Sequence, residues 1–179
     1  MSLPDPADEL LLRIQEIRVN AIIEKKAHYN ARSRLTTLNG RLGVASVMAS
    51  AVSGSSLVAT LAEWNQRPAA ALALFAAAAA AVLSAVHTFL KPGDAAAGHA
   101  ALATRYVLLS RACLLARTRF RAGCLDIAAL SGQLDHLNDQ YATLIRESEG
   151  MAPTDADRKR AQRGIKSGEE AYTPEELEL

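Results

Sequence analysis

Leu42-GVASVMASAVSGSSLVATL-Ala62 is followed by Glu63-Trp64-Asn65-Gln66-Arg67 and then by Pro68-AAALALFAAAAAAVLSAVHTF-Leu90. The two long stretches hold 21 and 23 residues, and His87 is the sole ionisable side chain in either. As α-helices they measure ~32 and ~35 Å, matching a bilayer's hydrocarbon core of ~30 Å. A soluble bundle would need other helices to cover such uniformly apolar surfaces, and the amphipathic flanks cannot cover all of it. Five connecting residues join only antiparallel neighbours. Trp64 suits the headgroup level, and Pro68 fits the first turn of the second helix. The expected fold class is therefore an all-α membrane protein: a hairpin of two transmembrane helices with long helical arms.

Working outward, the charges are uneven. Lys25, Lys26, Arg32, Arg34 and Arg41 precede the first stretch, and residues 91–121 carry six Lys/Arg against the single acid Asp94. The connector offers only Arg67. The positive-inside rule then puts both termini in the cytoplasm and the connector outside. The first 40 residues lack the apolar core of a cleavable signal peptide, so the first span is expected to act as the signal. Residues 122–179 hold six basic and twelve acidic residues, an acidic tail after the basic patch. With a net charge of only +1, no global field points to DNA or RNA, and neither is expected as a partner. Half the residues are apolar but 4% are aromatic, a poor supply for a conventional soluble core. If both lie on one helix, Cys113 and Cys124 are ~16 Å apart along its axis, too far for a disulfide, and read as reduced thiols.

Residues 1–41 are expected to form an N-terminal cytoplasmic helix. Its stripe is Leu10, Ile14, Ile17, Ala21, Glu24, His28, Ala31, Leu35 and Leu38, at alternating spacings of four and three. Spans follow at 42–62 and 68–90 around the external loop 63–67. Pro92-Gly93 breaks the chain, Asp94 offers a cap, and a second arm over 91–150 begins. There His99, Leu102, Tyr106, Leu109, Cys113, Ala116 and Phe120 keep heptad spacing, continued by Cys124, Ile127, Leu134, Leu137, Tyr141 and Leu144. Gly123 and Gly132 are its weak points, and Gly150 and Pro153 end it. Thr154-Asp155-Ala156-Asp157 reads as the start of a short helix within 151–179, ahead of the acidic tail. The two stripes are expected to bury each other as a coiled-coil-like stalk, within or between subunits. On the intersubunit reading, Ile14, Ile17, Leu102 and Leu109 drive assembly.

The spans have polar and small faces. Asn39, Gly43, Ser46, Ser50, Ser53, Gly54 and Thr60 fall within about 120° of arc on the first helix. On the second, Ala69, Ala73, Ala77, Ala81 and Ala85 recur at every fourth position. One reading is close packing with bonded hydroxyls. The other has Ser46, Ser50, Ser53 and Thr60 lining an aqueous path in an oligomer, since two helices cannot enclose a pore. His87 is either a packed interfacial histidine or a gate residue.

Catalytic chemistry is missing. The sequence has no phosphate-binding glycine loop, nucleophile elbow or paired metal motif, so neither an enzyme nor a cofactor is expected. Asp135, His136 and Asp139 come nearest to a metal cluster and read as a solvated helix face, leaving no metal site. The membrane-proximal cations have two readings: retention of topology with contact to anionic headgroups, or an anionic ligand site. The ligand reading uses Lys25, Lys26, Arg32 and Arg34 on one arm and Lys91, His99 and Arg105 on the other, with Tyr29 or Tyr106 for stacking.

Arg13-Ile14-Gln15-Glu16-Ile17-Arg18, then Ala21 and Glu24-Lys25-Lys26-Ala27-His28-Tyr29-Asn30-Ala31, lead into the first span. Phe89-Leu90-Lys91-Pro92 leaves the second, followed by His99, Ala103, Tyr106 and Leu109. This arrangement resembles the SLATT family of bacterial two-helix membrane effector domains, over roughly residues 10 to 165. The resemblance implies residence in the bacterial inner membrane and a place in antiphage defence systems built around cyclic di- or oligonucleotide messengers. It further implies homo-oligomers that breach the membrane and abort infection. The messenger would bind the arms directly or be reported by another protein. Two other functions compete: a membrane anchor or scaffold whose coiled coil recruits a partner, and a small subunit of a transporter or channel.

Overall fold

A computed structural model describes residues 6–61 and 66–168 of the chain, without the side chains of 56–69. Among the described residues the secondary structure is entirely helical: α1 (Pro6–Leu61), α2 (Gln66–Leu90), α3 (Pro92–Arg121), α4 (Ile127–Ser148), a 3-10 turn at Glu149–Met151, and α5 (Asp155–Lys166). The connector residues 62–65, Trp64 among them, lie outside the description.

Local chemistry sets the boundaries. α2 stops at Lys91, whose φ of 41° is left-handed, one residue before the expected break at Pro92-Gly93. Lys91 sits there because the proline after it disfavours helical backbone. α3 ends in a Schellman motif. Gly123, at φ 72°, donates to the Phe120 carbonyl (2.9 Å), and Cys124 N donates to the Arg119 carbonyl (2.9 Å). The second arm therefore splits at Gly123, whereas Gly132 stays inside α4. Asp126 caps α4 by accepting from Ala129 N (2.7 Å). Thr154 and Asp157 form a capping box on α5.

The chain divides into two compact units. The first comprises residues up to Arg32 and from Ala97 onward. Its core takes Ile14, Ile17 and Ala21 from α1, Tyr106, Leu109, Cys113 and Ala116 from α3, and Leu130, Leu137 and Leu144 from α4. Apart from Leu130, these belong to the heptad stripes read from the sequence, and they close on one another inside a single chain; Cys124 and Ile127, expected to continue the second stripe, are exposed because the chain turns between α3 and α4 there. Leu102 and Leu109 are 7% and 2% exposed, so the stripe is already covered and is not the seam between subunits expected on the assembly reading. The reason is the turn at Gly123. It returns α4 against α3, and its own stripe supplies the missing apolar wall. Each leucine buried this way contributes about 2 kcal/mol. Ala161 and Ile165 of α5 are buried in the same unit.

The second unit, Ser33–Ala96, holds the rest of α1 and all of α2. Its two helices lie antiparallel. Asn39 and His87 meet at one level and Ser53 and Ala73 at another, fourteen residues further along α1 and fourteen back along α2. The α2 residues turned inward are Ala73, Ala76, Ala79, Ala80, Leu83 and His87, whereas Ala77, Ala81 and Ala85 are exposed. The packing stripe thus alternates three and four rather than recurring every fourth residue, as two helices wound gently round each other require.

Candidate functional site

In the first unit α1, α3 and α5 bring together the most unusual polar chemistry of the chain. The stripes that build the core place His28 of α1 and His99 of α3 at core positions, 0% and 5% exposed. Their Nδ1 atoms lie 2.9 Å apart, so one ring donates and the other accepts. His28 also stacks on Tyr106, ring centres 5.6 Å apart. The far nitrogen of His28, Nε2, is buried without a hydrogen-bond partner among the described residues. Burial, then the charges of His99 and Arg158, lower the His28 pKa to about 4. Around this cluster Arg158 Nε donates to Glu24 Oε1 (3.1 Å) and Asn30 Nδ2 to the Asp157 carbonyl (3.0 Å), tying α5 to α1. Burial raises the Tyr106 hydroxyl above its ordinary range. The Cys113 thiol is pushed up to about 11, chiefly by burial, and is inert.

Between α3 and α4 runs an open groove of about 390 Å³, lined by Arg105, Leu108, His136, Asp139, Gln140 and Thr143. Arg105 forms an ion pair with Glu147 at its edge. His136 and Gln140 bond to each other across one helical turn (2.8 Å). Asp135, His136 and Asp139 are all exposed. No group of three or more possible metal ligands occurs among the described residues.

The expected cationic set is spread over different surroundings. Lys25 and Lys26 are buried and engaged with partners, their long stems packed under the charge. His99 and Tyr106 belong to the histidine cluster, with Tyr106 only 1% exposed and its ring face covered by His28. Arg105 is exposed and paired with Glu147. Arg32 is exposed at the limit of the first unit, and Arg34 is exposed in the second. Lys91 is exposed at the end of α2. Tyr29 is partly exposed at 38%.

In the second unit the polar residues of α1 turn toward α2. Ser53 Oγ donates to the Ala73 carbonyl (3.3 Å), and Asn39 Oδ1 meets His87 Nε2 (2.8 Å). Ser46 is half-buried and Ser50 exposed; the Thr60 side chain lies outside the description. The other faces carry large apolar groups into the open: Val47, Met48, Leu74, Phe75 and Phe89 are 62–86% exposed. Among the described residues one helical stretch, beginning at Ala70, is long and apolar enough to cross a membrane, and 6% of its most apolar window is buried. The expected first span, 42–62, runs into residues whose side chains lie outside the description.

The sequence reading missed the two pairings, His28 with His99 and Asn39 with His87. His28, His99 and Asn39 stood on the faces read from the sequence, whereas His87 lay off the expected alanine stripe, and no spacing within one helix encodes its partner on another.

Residues 10–176 match the model of the SMODS and SLOG-associating 2TM effector domain family 4, one of the SLATT families. No curated protein and no solved structure matches the chain.

Proposed function

The chain belongs to the SMODS and SLOG-associating 2TM effector domain family 4, and from that premise we propose that it is a membrane-breaching effector. Residues 42–62 and 68–90 cross the bacterial inner membrane with both termini cytoplasmic. Several copies assemble, and a cyclic nucleotide signal opens them. The apolar surface of the hairpin carries the reading. Phe75 and Phe89 are 75% and 86% exposed. Leaving such groups in water costs about 25 cal/mol per Å², a cost the acyl chains remove. The family's association with SMODS and SLOG proteins supports a nucleotide-linked trigger. The dispersal of the cationic residues favours a sensing partner that relays the messenger over direct capture by this chain. The proposed role is not enzymatic.

Reconstitution in dye-loaded vesicles with the sensing partner and messenger tests the reading. Signal-dependent efflux is expected from an effector. Retention of the dye with the protein inserted would favour a scaffold or anchor. Topology is read separately. Asn65→Cys is expected to label from outside intact cells, and Glu170→Cys only after lysis.

A further inference from the structure

The exposed sides of α3 and α4 carry opposite charge. From Ala97 to Leu125 the chain has five arginines and no acid. The exposed arc of α3 presents Leu108 and Leu115 flanked by Arg111 and Arg119. From Asp126 to Glu149 there are five acids against the single base Arg146. The exposed arc of α4 presents Asp135 and Asp139 beside the small residues Gly132 and Ala142. The two arcs flank the open groove bordered by Leu108 and Asp139. Leu108 and Leu115 are 59% and 49% exposed, a large apolar cost on a helix whose opposite side is already buried.

A two-helix face of this kind stacks on a copy of itself in two symmetric ways. An axis perpendicular to the helices and lying in the interface plane lays α3 on α3, arginine on arginine. An axis running along the helices lays α3 of each copy on α4 of the other. Charge selects the second. Level is conserved along such an axis, and the Arg105–Glu147 pair sets which residues of α3 and α4 are level. Six residues on, Arg111 is level with Tyr141; eight further, Arg119 is level with Gln133. Asp139 and Asp135 stand two residues from those levels, ~3 Å along the axis, within reach of an arginine side chain.

We propose that a second copy of this chain docks across the α3–α4 face about a two-fold axis along the helices, with Arg111 meeting Asp139 of the partner subunit and Arg119 meeting Asp135 of the partner subunit. Leu108 then lies against Ala142 of the partner subunit and leaves water, and Leu115 is covered between the two ion pairs. Opposite charges set the register, and the leucines supply the association free energy. The inference deepens the assembly part of the proposed function and rests on it.

The test is a charge swap on the full-length chain in lipid nanodiscs, with size read by mass photometry. Arg111→Glu with Arg119→Glu puts acid on acid, and Asp135→Lys with Asp139→Lys puts base on base. Each is expected to weaken self-association by about 100-fold. An equimolar mixture is expected to associate like wild type, since every contact in the mixed dimer is again opposite in sign. That rescue cannot come from misfolded chains. A mixture that stays dissociated, or variants that assemble as wild type does, overturns the interface. So does Arg111→Glu with Arg119→Glu if it leaves association intact but abolishes binding to phosphatidylglycerol vesicles, because the face would then be a lipid surface. Efflux separates the two proposals. Assembly in this pattern without efflux overturns the effector reading alone; efflux with assembly insensitive to both variants overturns the interface alone.

Discussion

His28 of α1 and His99 of α3 are 71 residues apart in sequence and 2.9 Å apart at Nδ1. The contact needs one N–H and one lone pair, so the doubly protonated pair loses its bond and sets two cations together in the core. The fold holds His28 neutral, with its pKa at about 4 rather than 6.5. An unfolded chain binds the proton first, so stability is full above pH 6.5 and falls as pH drops toward 4. The loss is about 3 kcal/mol over that window. Denaturant midpoints followed by circular dichroism from pH 7.5 to 4.5 check it. His28→Gln is expected to flatten most of the slope; an unchanged slope would assign it to other groups.

Leu109 is a core residue of one chain, 2% exposed and packed in the cluster with Ile14, Ile17 and Leu137. Leu109→Ala is expected to cost roughly 2–5 kcal/mol and to lower the melting temperature of the full-length protein. A charge there, Leu109→Asp, is expected to unfold the unit rather than merely separate subunits. Native-like protection of the surrounding amides in hydrogen exchange would contradict this placement.

Gly123 and Gly132 predict opposite signs. Gly123 has a left-handed backbone (φ 72°), so Gly123→Ala is expected to destabilise by about 1 kcal/mol and Gly123→Asn by less. Gly132 lies within α4, and an added Cβ meets nothing within 4 Å. Gly132→Ala is therefore expected to stabilise by about 0.5–1 kcal/mol. Thermal melts of the three variants decide both.

Asn39 and His87 test the hairpin. Asn39→Leu and His87→Leu each strand the other polar group, and a double-mutant cycle is expected to give about 0.6–1.7 kcal/mol of coupling. Coupling near zero in detergent unfolding would mean the pair does not hold the two helices together.

Much of this was legible in the sequence. The stripe Ile14, Ile17, Ala21, His28 and Ala31 is buried in α1, and His99, Leu102, Tyr106, Leu109 and Cys113 are buried in α3, as their spacing requires. Thr154 and Asp157 announced their helix start correctly, because a cap acts through bonds between near neighbours in sequence. What periodicity leaves open is which surface covers a stripe. Leu102 and Leu109 met their partners on the same chain because one left-handed glycine turned α4 back, and a turn's direction is not written in a heptad. The candidate site was less legible for a related reason. Lys25 and Lys26 were expected to offer their charges to headgroups or to an anionic ligand, yet both are buried, since long stems let a cation sit at the edge of an apolar seam.

The equal spacing of the two contacts in the hairpin has a mechanical consequence. Fourteen residues separate Asn39 from Ser53, and fourteen separate Ala73 from His87. Sliding one helix past the other by a single residue shifts it ~1.5 Å and turns it by about 100°, breaking both fastenings at once. The pair is keyed against ratcheting and behaves as one strut. If such struts assemble as proposed, opening comes from tilting or parting whole copies, and the moving joints lie between neighbours and not within them.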